Sequence, residues 1–169
     1  MPIVRAETAT DYAAVRRVNE LAFDGPAEAL LVDKLRPVAD PQISLVAVRE
    51  DKVVGHIFFS PVSVEINDSS SLALALGPLA ILPEQQRQGL GSQLVRAGLH
   101  ECQRIGCNVV VVVGHPEYYP RFGFLPAKQK KLSCEFPVPE DVFMVAELRP
   151  QALAGFRGLV RYRPEFSEV

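Results

Sequence analysis

The segment Leu79–Ser92, LAILPEQQRQGLGS, changes its hydrophobic period in the middle, and the architecture follows from that change. Its beginning belongs to an apolar run from Leu72 to Leu82, which predicts a buried β-strand. From Gly89 onward the apolar residues recur at helical spacing, which predicts a long amphipathic helix that ends at Gly106. A strand that leads through a glycine-containing loop into a helix leaves unpaired backbone N–H groups at the start of that helix.

A second apolar run follows the helix. Asn108 to Val113 contains five consecutive valines without polar alternation, which predicts a central strand covered on both faces. The order strand, helix, strand from Leu72 to Val113 predicts parallel pairing through a right-handed crossover.

The remaining elements predict one mixed α/β layer in a single domain over residues 1–169. They are a strand at Pro2–Ala6, a helix with its N-cap at Thr10, a second helix with Ala29, Leu30, Val32 and Leu35 buried, a hairpin of Ile43–Arg49 with Val53–Ile66, a helical turn near Glu117–Phe122 and a final strand near Phe143–Leu148.

Composition excludes several classes of protein. The hydrophobic fraction of 48% and the charged fraction of 22% are typical of a globular chain, and a net charge of -2 argues against a nucleic-acid partner. Cys102, Cys107 and Cys134 show neither a C-x-x-C pair nor a histidine spacing, which predicts reduced thiols and no metal site. The N-terminus lacks a signal peptide, and no apolar stretch approaches the roughly 20 residues that cross a bilayer. We therefore expect a cytoplasmic protein with no membrane partner.

The loop before the helix has the chemistry of a phosphate site. A helix N-terminus presents backbone N–H groups and the positive end of its dipole, which suits a pyrophosphate. Gly89 and Gly91 carry no side chain that would keep phosphate oxygens away from these backbone amides. Ser92, Arg87 and Gln88 can add hydrogen-bond donors at the edge of the site.

Two well-known phosphate motifs do not fit this loop. The dinucleotide-binding fingerprint needs a third glycine where this chain has Leu94, and the P-loop needs a lysine that is missing here. The remaining pattern is Gln-x-x-Gly-x-Gly at the start of a long helix. Taken alone, it is also compatible with a tight strand-to-helix turn that binds no ligand.

With its neighbouring residues, the pattern resembles the GCN5-related N-acetyltransferase (GNAT) superfamily. The signature Gln/Arg-x-x-Gly-x-Gly/Ala is met by Gln86, Gly89 and Gly91. Leu79–Pro83 looks like the LAVxP strand end of that family, and Tyr119–Phe124 matches its Y-x-x-x-G-F element. The resemblance runs from residue 2 to about 148. It implies a GNAT-like α/β fold, in which helices flank a mixed sheet whose two central parallel strands splay apart.

The resemblance also implies an activity and a site. It predicts an N-acetyltransferase that uses acetyl-CoA as acyl donor, without a metal, and transfers the acetyl group to a primary amine by direct attack. The alternative is an acyl-CoA-binding module without catalysis, and a homodimer is a further expectation because dimers are common in the family. The resemblance assigns the pantetheine arm to Leu79 and Ile81, and the pyrophosphate to the segment from Arg87 to Ser92. The residues expected to bind the coenzyme are Leu79, Ala80, Ile81, Gln86, Arg87, Gln88, Gly89, Leu90, Gly91 and Ser92.

For catalysis, the resemblance points to Tyr119. It stands four residues before Gly123, where the family carries a tyrosine that donates to the departing thiolate, and the adjacent Tyr118 is the alternative. The backbone N–H near Ile81 is expected to polarise the thioester carbonyl. The sequence does not identify a general base. The open choices are Glu84, His56, His115, Glu28 and a chain of water molecules.

Overall fold

The computed structural model describes residues 1–169 and contains nine strands and three α-helices. In chain order these are β1 (Ile3–Ala6), α1 (Tyr12–Phe23), α2 (Ala27–Leu35), β2 (Ile43–Arg49), β3 (Lys52–Asn67), β4 (Ala73–Ile81), α3 (Leu90–Arg104), β5 (Val109–Val113), β6 (Leu125–Pro126), β7 (Leu132–Cys134), β8 (Phe143–Glu147) and β9 (Phe156–Arg161).

The chain is organised in two compact units. The first contains residues 1–60, 77–98 and 164–169, and the second contains residues 61–76 and 99–163. A single domain over residues 1–169 remains a prediction.

In the first unit the strand order is β1-β2-β3-β4. Strands β2 and β3 form the predicted hairpin, in which Arg49 pairs with Lys52 across the turn residues Glu50 and Asp51. Both turn residues have positive φ, 52° and 64°, which matches the right-handed twist of a two-residue hairpin.

Helices cover both faces of this sheet. Phe58 and Phe59 are consecutive in β3 and therefore point to opposite faces. Phe58 joins the cluster formed by α1 and α2, whereas Phe59 lies so close to Gly98 of α3 that a Cβ there would be 2.6 Å from the ring Cζ. The buried residues of the first cluster are Val15, Leu31, Val32, Leu35, Ala39, Val46 and Phe58.

Two local expectations in this unit are wrong. The N-cap of α1 is Asp11 rather than the predicted Thr10, because a 3-10 turn precedes the helix. Thr8 caps that turn, and the Asp11 carboxylate accepts the Thr8 N–H at 2.8 Å. Leu30, expected in the core, is 47% exposed, and Leu31 is buried instead. Adjacent leucines are chemically equivalent, so composition could not show which of them faces the sheet.

In the second unit the strand order is β4-β5-β8-β6. Strand β5 is parallel to β4, with Ala73–Leu76 opposite Val109–Val112, and those four valines are at most 1% exposed. The parallel pairing is therefore confirmed, and so is the coverage of the strand as far as Val112, whereas its last residue, Val113, is 41% exposed. The registered pairs end at Leu76, whereas β4 continues to Ile81.

The strand predicted as the last one is followed by another. Strand β9 pairs with β3 and β7. It is hard to recognise in the sequence because Gly158, with φ 99°, interrupts it and exposed arginines stand at Arg157 and Arg161. The predicted α/β class, a mixed sheet flanked by helices, is confirmed. None of the helices combines the length and the apolar character needed to cross a membrane.

Candidate functional site

The end of β4 presents one set of backbone groups away from β3. The Leu82 N–H donates to the Val54 carbonyl of β3 at 2.9 Å. Because backbone groups alternate in direction along a strand, those of Leu79 and Ile81 point to the opposite edge. Their side chains are half-buried, while Ala80 between them is buried. This edge is the part of β4 to which the family resemblance assigned the pantetheine arm.

The loop after β4 is exposed and turns sharply. Residues 86–89 are all exposed, and two of them have left-handed backbones, Arg87 with φ 63° and Gly89 with φ 85°. A non-glycine residue in this conformation is strained by about 1–2 kcal/mol, so the surrounding structure must hold Arg87 in place. No atom lies within 4 Å of a Cβ built on Gly89, so the space above this residue is open.

Helix α3 begins directly after the loop. Its side chain at Leu90 is buried, which anchors the first turn. The Gly89 carbonyl accepts the Gln93 N–H at 3.1 Å. The N–H groups of Leu90, Gly91 and Ser92 precede that bond and therefore lie in the turn where a helix supplies no carbonyl of its own. This 15-residue helix thus directs its N-terminal amides and dipole toward the exposed loop.

The side-chain amides of Gln86 and Gln88 contact backbone carbonyls of the same segment. The Gln86 Nε2 donates to the Ile81 carbonyl at 3.1 Å, and the Gln88 Nε2 lies 3.5 Å from the Glu84 carbonyl. Gln88 was predicted to add a donor to the pyrophosphate and Gln86 to bind the coenzyme, yet both side chains contact the loop itself. The donors directed outward by this geometry are the backbone amides and the exposed Arg87.

Tyr119 belongs to the second unit and is described in its own surroundings. It opens the 3-10 turn Tyr119–Phe122 and is 7% exposed. Its ring makes edge contacts with Tyr118 and Phe124, at centroid distances of 5.1 and 5.6 Å. Gly114 allows this packing, because a Cβ there would lie 2.9 Å from the Tyr119 Cδ2. Burial raises the pKa of Tyr119 above the ordinary value, and the nearby Tyr118 contributes to the same direction.

Of the four side chains considered as general base, His56 is unsuited. It is fully buried, its Nδ1 accepts from the Asn19 Nδ2 at 3.2 Å, and its Nε2 lies 2.9 Å from the Ser44 hydroxyl. Burial, assisted by the positive charge of Arg36, lowers the pKa of His56 to about 3. His115 and Glu84 are exposed, and Glu28 is half-buried.

One residue of the loop's surroundings was missed by the sequence analysis. Arg49, the last residue of β2, donates through Nη1 to the side-chain oxygens of Gln85 and Gln88, at 2.6 and 2.7 Å. Its partners lie 36 and 39 positions away, so no local pattern could connect them. No group of three or more His, Cys, Asp and Glu side chains is arranged to hold a metal ion.

Comparison with protein families identifies a relationship over most of the chain. Residues 3–127 match the family model of the acetyltransferase (GNAT) domain. The chain is 36% identical over 166 residues to the uncharacterized N-acetyltransferase YhbS of Escherichia coli K12, covering 98% of both proteins. It is 40% identical over 135 residues to the uncharacterized N-acetyltransferase YjhQ of the same strain, covering 78% of this chain and 75% of YjhQ.

Solved structures show the same relationship in three dimensions. A crystal structure of E. coli YhbS in complex with CoA has a TM-score of 0.91 and 34% identity, covering 98% of this chain and 92% of that chain. A GNAT family acetyltransferase from Brucella melitensis in complex with acetyl-CoA has a TM-score of 0.80 and 31% identity, covering 98% of both. The family expected from Gln86, Gly89 and Gly91 is therefore confirmed, and the chain belongs to the GNAT family of N-acetyltransferases.

Proposed function

We propose that the chain transfers the acetyl group of acetyl-CoA to a primary amine by direct attack of the amine on the thioester. The observation that carries this proposal is the start of α3, where an exposed loop leads into the N-terminal amides of a long helix. That arrangement suits the diphosphate of coenzyme A. The CoA and acetyl-CoA complexes of the two related structures support the choice of donor.

The edge of β4 suits the rest of the donor. Pantetheine contains two amides, and the outward backbone groups of Leu79 and Ile81 can pair with them as a neighbouring strand would. The Ile81 carbonyl already accepts the Gln86 side chain, so Ile81 would contribute its N–H. An N–H group directed at the thioester oxygen would stabilise the negative charge that develops there during attack.

Tyr119 is our proposed donor to the leaving thiolate. The phenol is protonated at neutral pH, and burial raises its pKa further above the ordinary value. An ordinary thiol has a pKa of about 8.5, so complete proton transfer from such a phenol to the thiolate would be unfavourable. The role that fits is a hydrogen bond that stabilises the thiolate as the C–S bond breaks.

Two measurements test the proposal. Coenzyme A at 100 times its dissociation constant should stabilise the folded protein by about 2.7 kcal/mol, measured by thermal unfolding. Acetyl-CoA with a panel of small amines and peptides should then release free thiol in proportion to acetylated amine. Stabilisation without thiol release for any amine would favour the alternative, a binding module that does not catalyse. Absence of both effects would contradict the proposed site.

The cytoplasmic location and the homodimer remain part of the proposal. Light scattering during size-exclusion chromatography measures the mass of the assembly directly. Fractionation of cells that produce the protein tests the location.

A further inference from the structure

Arg49 contacts the loop at both sides of its turn. Its Nη1 donates to Gln85, before the left-handed Arg87, and to Gln88, after it. Hydrogen bonds from a charged guanidinium are stronger than those between neutral groups. A single cation at the end of β2 therefore connects the two halves of the turn.

These contacts also fix how the two glutamine side chains are oriented. A guanidinium can only donate, so both glutamines must turn their oxygens toward Arg49 and their NH2 groups away from it. For Gln88 the NH2 group then faces the Glu84 carbonyl, which belongs to the same loop. The orientation of the amides follows from the charge on Arg49.

We propose that Arg49 is a positioning residue for the donor site, which holds the loop of residues 85–88 in the conformation that receives the coenzyme A diphosphate. The inference rests on the proposed function. Arg87 stands in a strained backbone conformation, and Arg49 holds Gln85, two residues before it, and Gln88, the residue after it. A loop that is ordered before binding loses less conformational entropy when the ligand arrives, which strengthens affinity.

The test measures the dissociation constant of coenzyme A by isothermal titration calorimetry at fixed ionic strength. Arg49→Met keeps the apolar part of the side chain and removes its donors. We expect it to weaken binding about tenfold, as loss of about 1.4 kcal/mol would. Arg49→Lys should recover part of that loss, because an ammonium can still donate to both oxygens. Arg17→Met, at an exposed position on α1, is the matched control and should bind like the wild type.

A double-mutant cycle shows whether Arg49 acts through the glutamines. We expect Gln85→Ala with Gln88→Ala to weaken binding by a similar factor, and the further change Arg49→Met to add nothing. Additive losses would overturn the inference, because they would mean that Arg49 contacts the coenzyme directly. Affinity unchanged in Arg49→Met would overturn it as well.

The same experiment distinguishes a change in affinity from a loss of folding stability and from a failure of the proposed function. The midpoint of thermal unfolding without ligand should change by less than about 3 °C in each variant. If Arg49→Met fails to fold, the comparison of Arg49→Lys with the double glutamine variant decides the question by the same criteria. A wild-type chain that does not bind coenzyme A would overturn the proposed function itself, whereas binding by the wild type with unaffected variants overturns only the role of Arg49.

Discussion

At the residue scale, the proposed role of Tyr119 depends on a single hydroxyl on a buried ring. Its ring makes edge contacts with two aromatic rings, and burial raises the pKa of its phenol above the ordinary value. Tyr119→Phe preserves the ring packing and removes only the hydroxyl. We therefore expect the turnover number to fall roughly 100-fold, as for the loss of one hydrogen-bond donor to a developing negative charge, while the coenzyme A dissociation constant stays within about twofold. Steady-state thiol release and calorimetry measure the two quantities.

Tyr118→Phe is the natural comparison. The Tyr118 ring packs against Phe122 and beneath the Arg121 guanidinium, which lies 4.5 Å from the ring centroid. Its hydroxyl should be dispensable, with turnover unchanged within about twofold. If instead Tyr118→Phe removes activity and Tyr119→Phe does not, the catalytic assignment moves to Tyr118.

His56 is a buried member of a polar chain in the first unit. Because its Nδ1 accepts from Asn19, its proton is on Nε2, which donates to the Ser44 hydroxyl. Ser44 in turn donates to the Glu7 carboxylate at 2.9 Å, and Glu7 accepts from Arg36 at 2.7 Å. These bonds connect both helices of the first cluster to the sheet, and they need a neutral imidazole.

That neutral imidazole predicts how stability depends on pH. The folded pKa of His56 is about 3, whereas an unfolded histidine has a value near 6.5. Between these values the unfolded chain binds the additional proton, so the free energy of unfolding decreases as the pH falls. We expect a loss of about 2 kcal/mol between pH 7 and pH 5, measured by urea denaturation.

His56→Gln isolates the effect, because glutamine does not titrate. The variant is expected to be less stable at pH 7, since it alters a buried network, but to lose much less stability on going to pH 5. An equal loss in both proteins would contradict the assignment. The lowered pKa of Asp11, caused mainly by its bond from Arg5, acts only at more acidic pH, so it does not interfere with this comparison.

At the scale of an element, α3 carries a matched pair of glycines just beyond its two ends. Gly89 and Gly106 have φ of 85° and 86°, and neither has an atom within 4 Å of a built Cβ. Alanine at either position meets the same backbone strain of about 1–2 kcal/mol without a clash. We expect both variants to lose similar stability, measured by chemical denaturation.

The two variants should differ in coenzyme A binding. Gly89→Ala disturbs the conformation of the loop at the helix N-terminus and should weaken affinity about tenfold or more, measured by calorimetry. Gly106→Ala disturbs the other end and should leave the affinity unchanged. Equal affinity in the two variants would mean that the start of α3 is not the diphosphate site.

At the scale of the whole molecule, three elements, β3, β4 and α3, begin in one compact unit and end in the other. Residues within one strand or helix tend to unfold together. Because these three elements are shared by both units, we expect the chain to unfold in a single cooperative step. Calorimetry measures this through the ratio of the calorimetric to the van't Hoff enthalpy, expected near one. Two resolved transitions would contradict the single domain predicted over residues 1–169.

Periodicity predicted most of the elements, because the chain alternates clearly between apolar runs and turn residues. It located β2 correctly and placed β4, α3 and β5 within a residue or two of their ends. It missed β6 and β7, which contain only two and three residues, and β9, which Gly158 divides. It also exchanged Leu30 for Leu31, since packing rather than composition sets the rotation of α2.

The candidate site also has one part that the sequence predicted and another part that it could not predict. The helix N-terminus could be predicted from Gly89 and the helical spacing after it, because those are local properties of the chain. The inward orientation of Gln86 and Gln88 could not, since it depends on Arg49 and on the Ile81 and Glu84 carbonyls. The proposed role of Tyr119 came from resemblance to a family, and the structure adds the burial that raises the pKa of its phenol.

The last residues of the chain have a consequence for synthesis on the ribosome. Phe166 packs against the cluster that contains Val15 and Leu35, and Glu168 lies 3.1 Å from Lys34 of α2. These residues are translated long after the helices that they cover. The first cluster must therefore remain open on one side while residues 99–163 are made, and a nascent chain paused in that interval would present an apolar surface to chaperones.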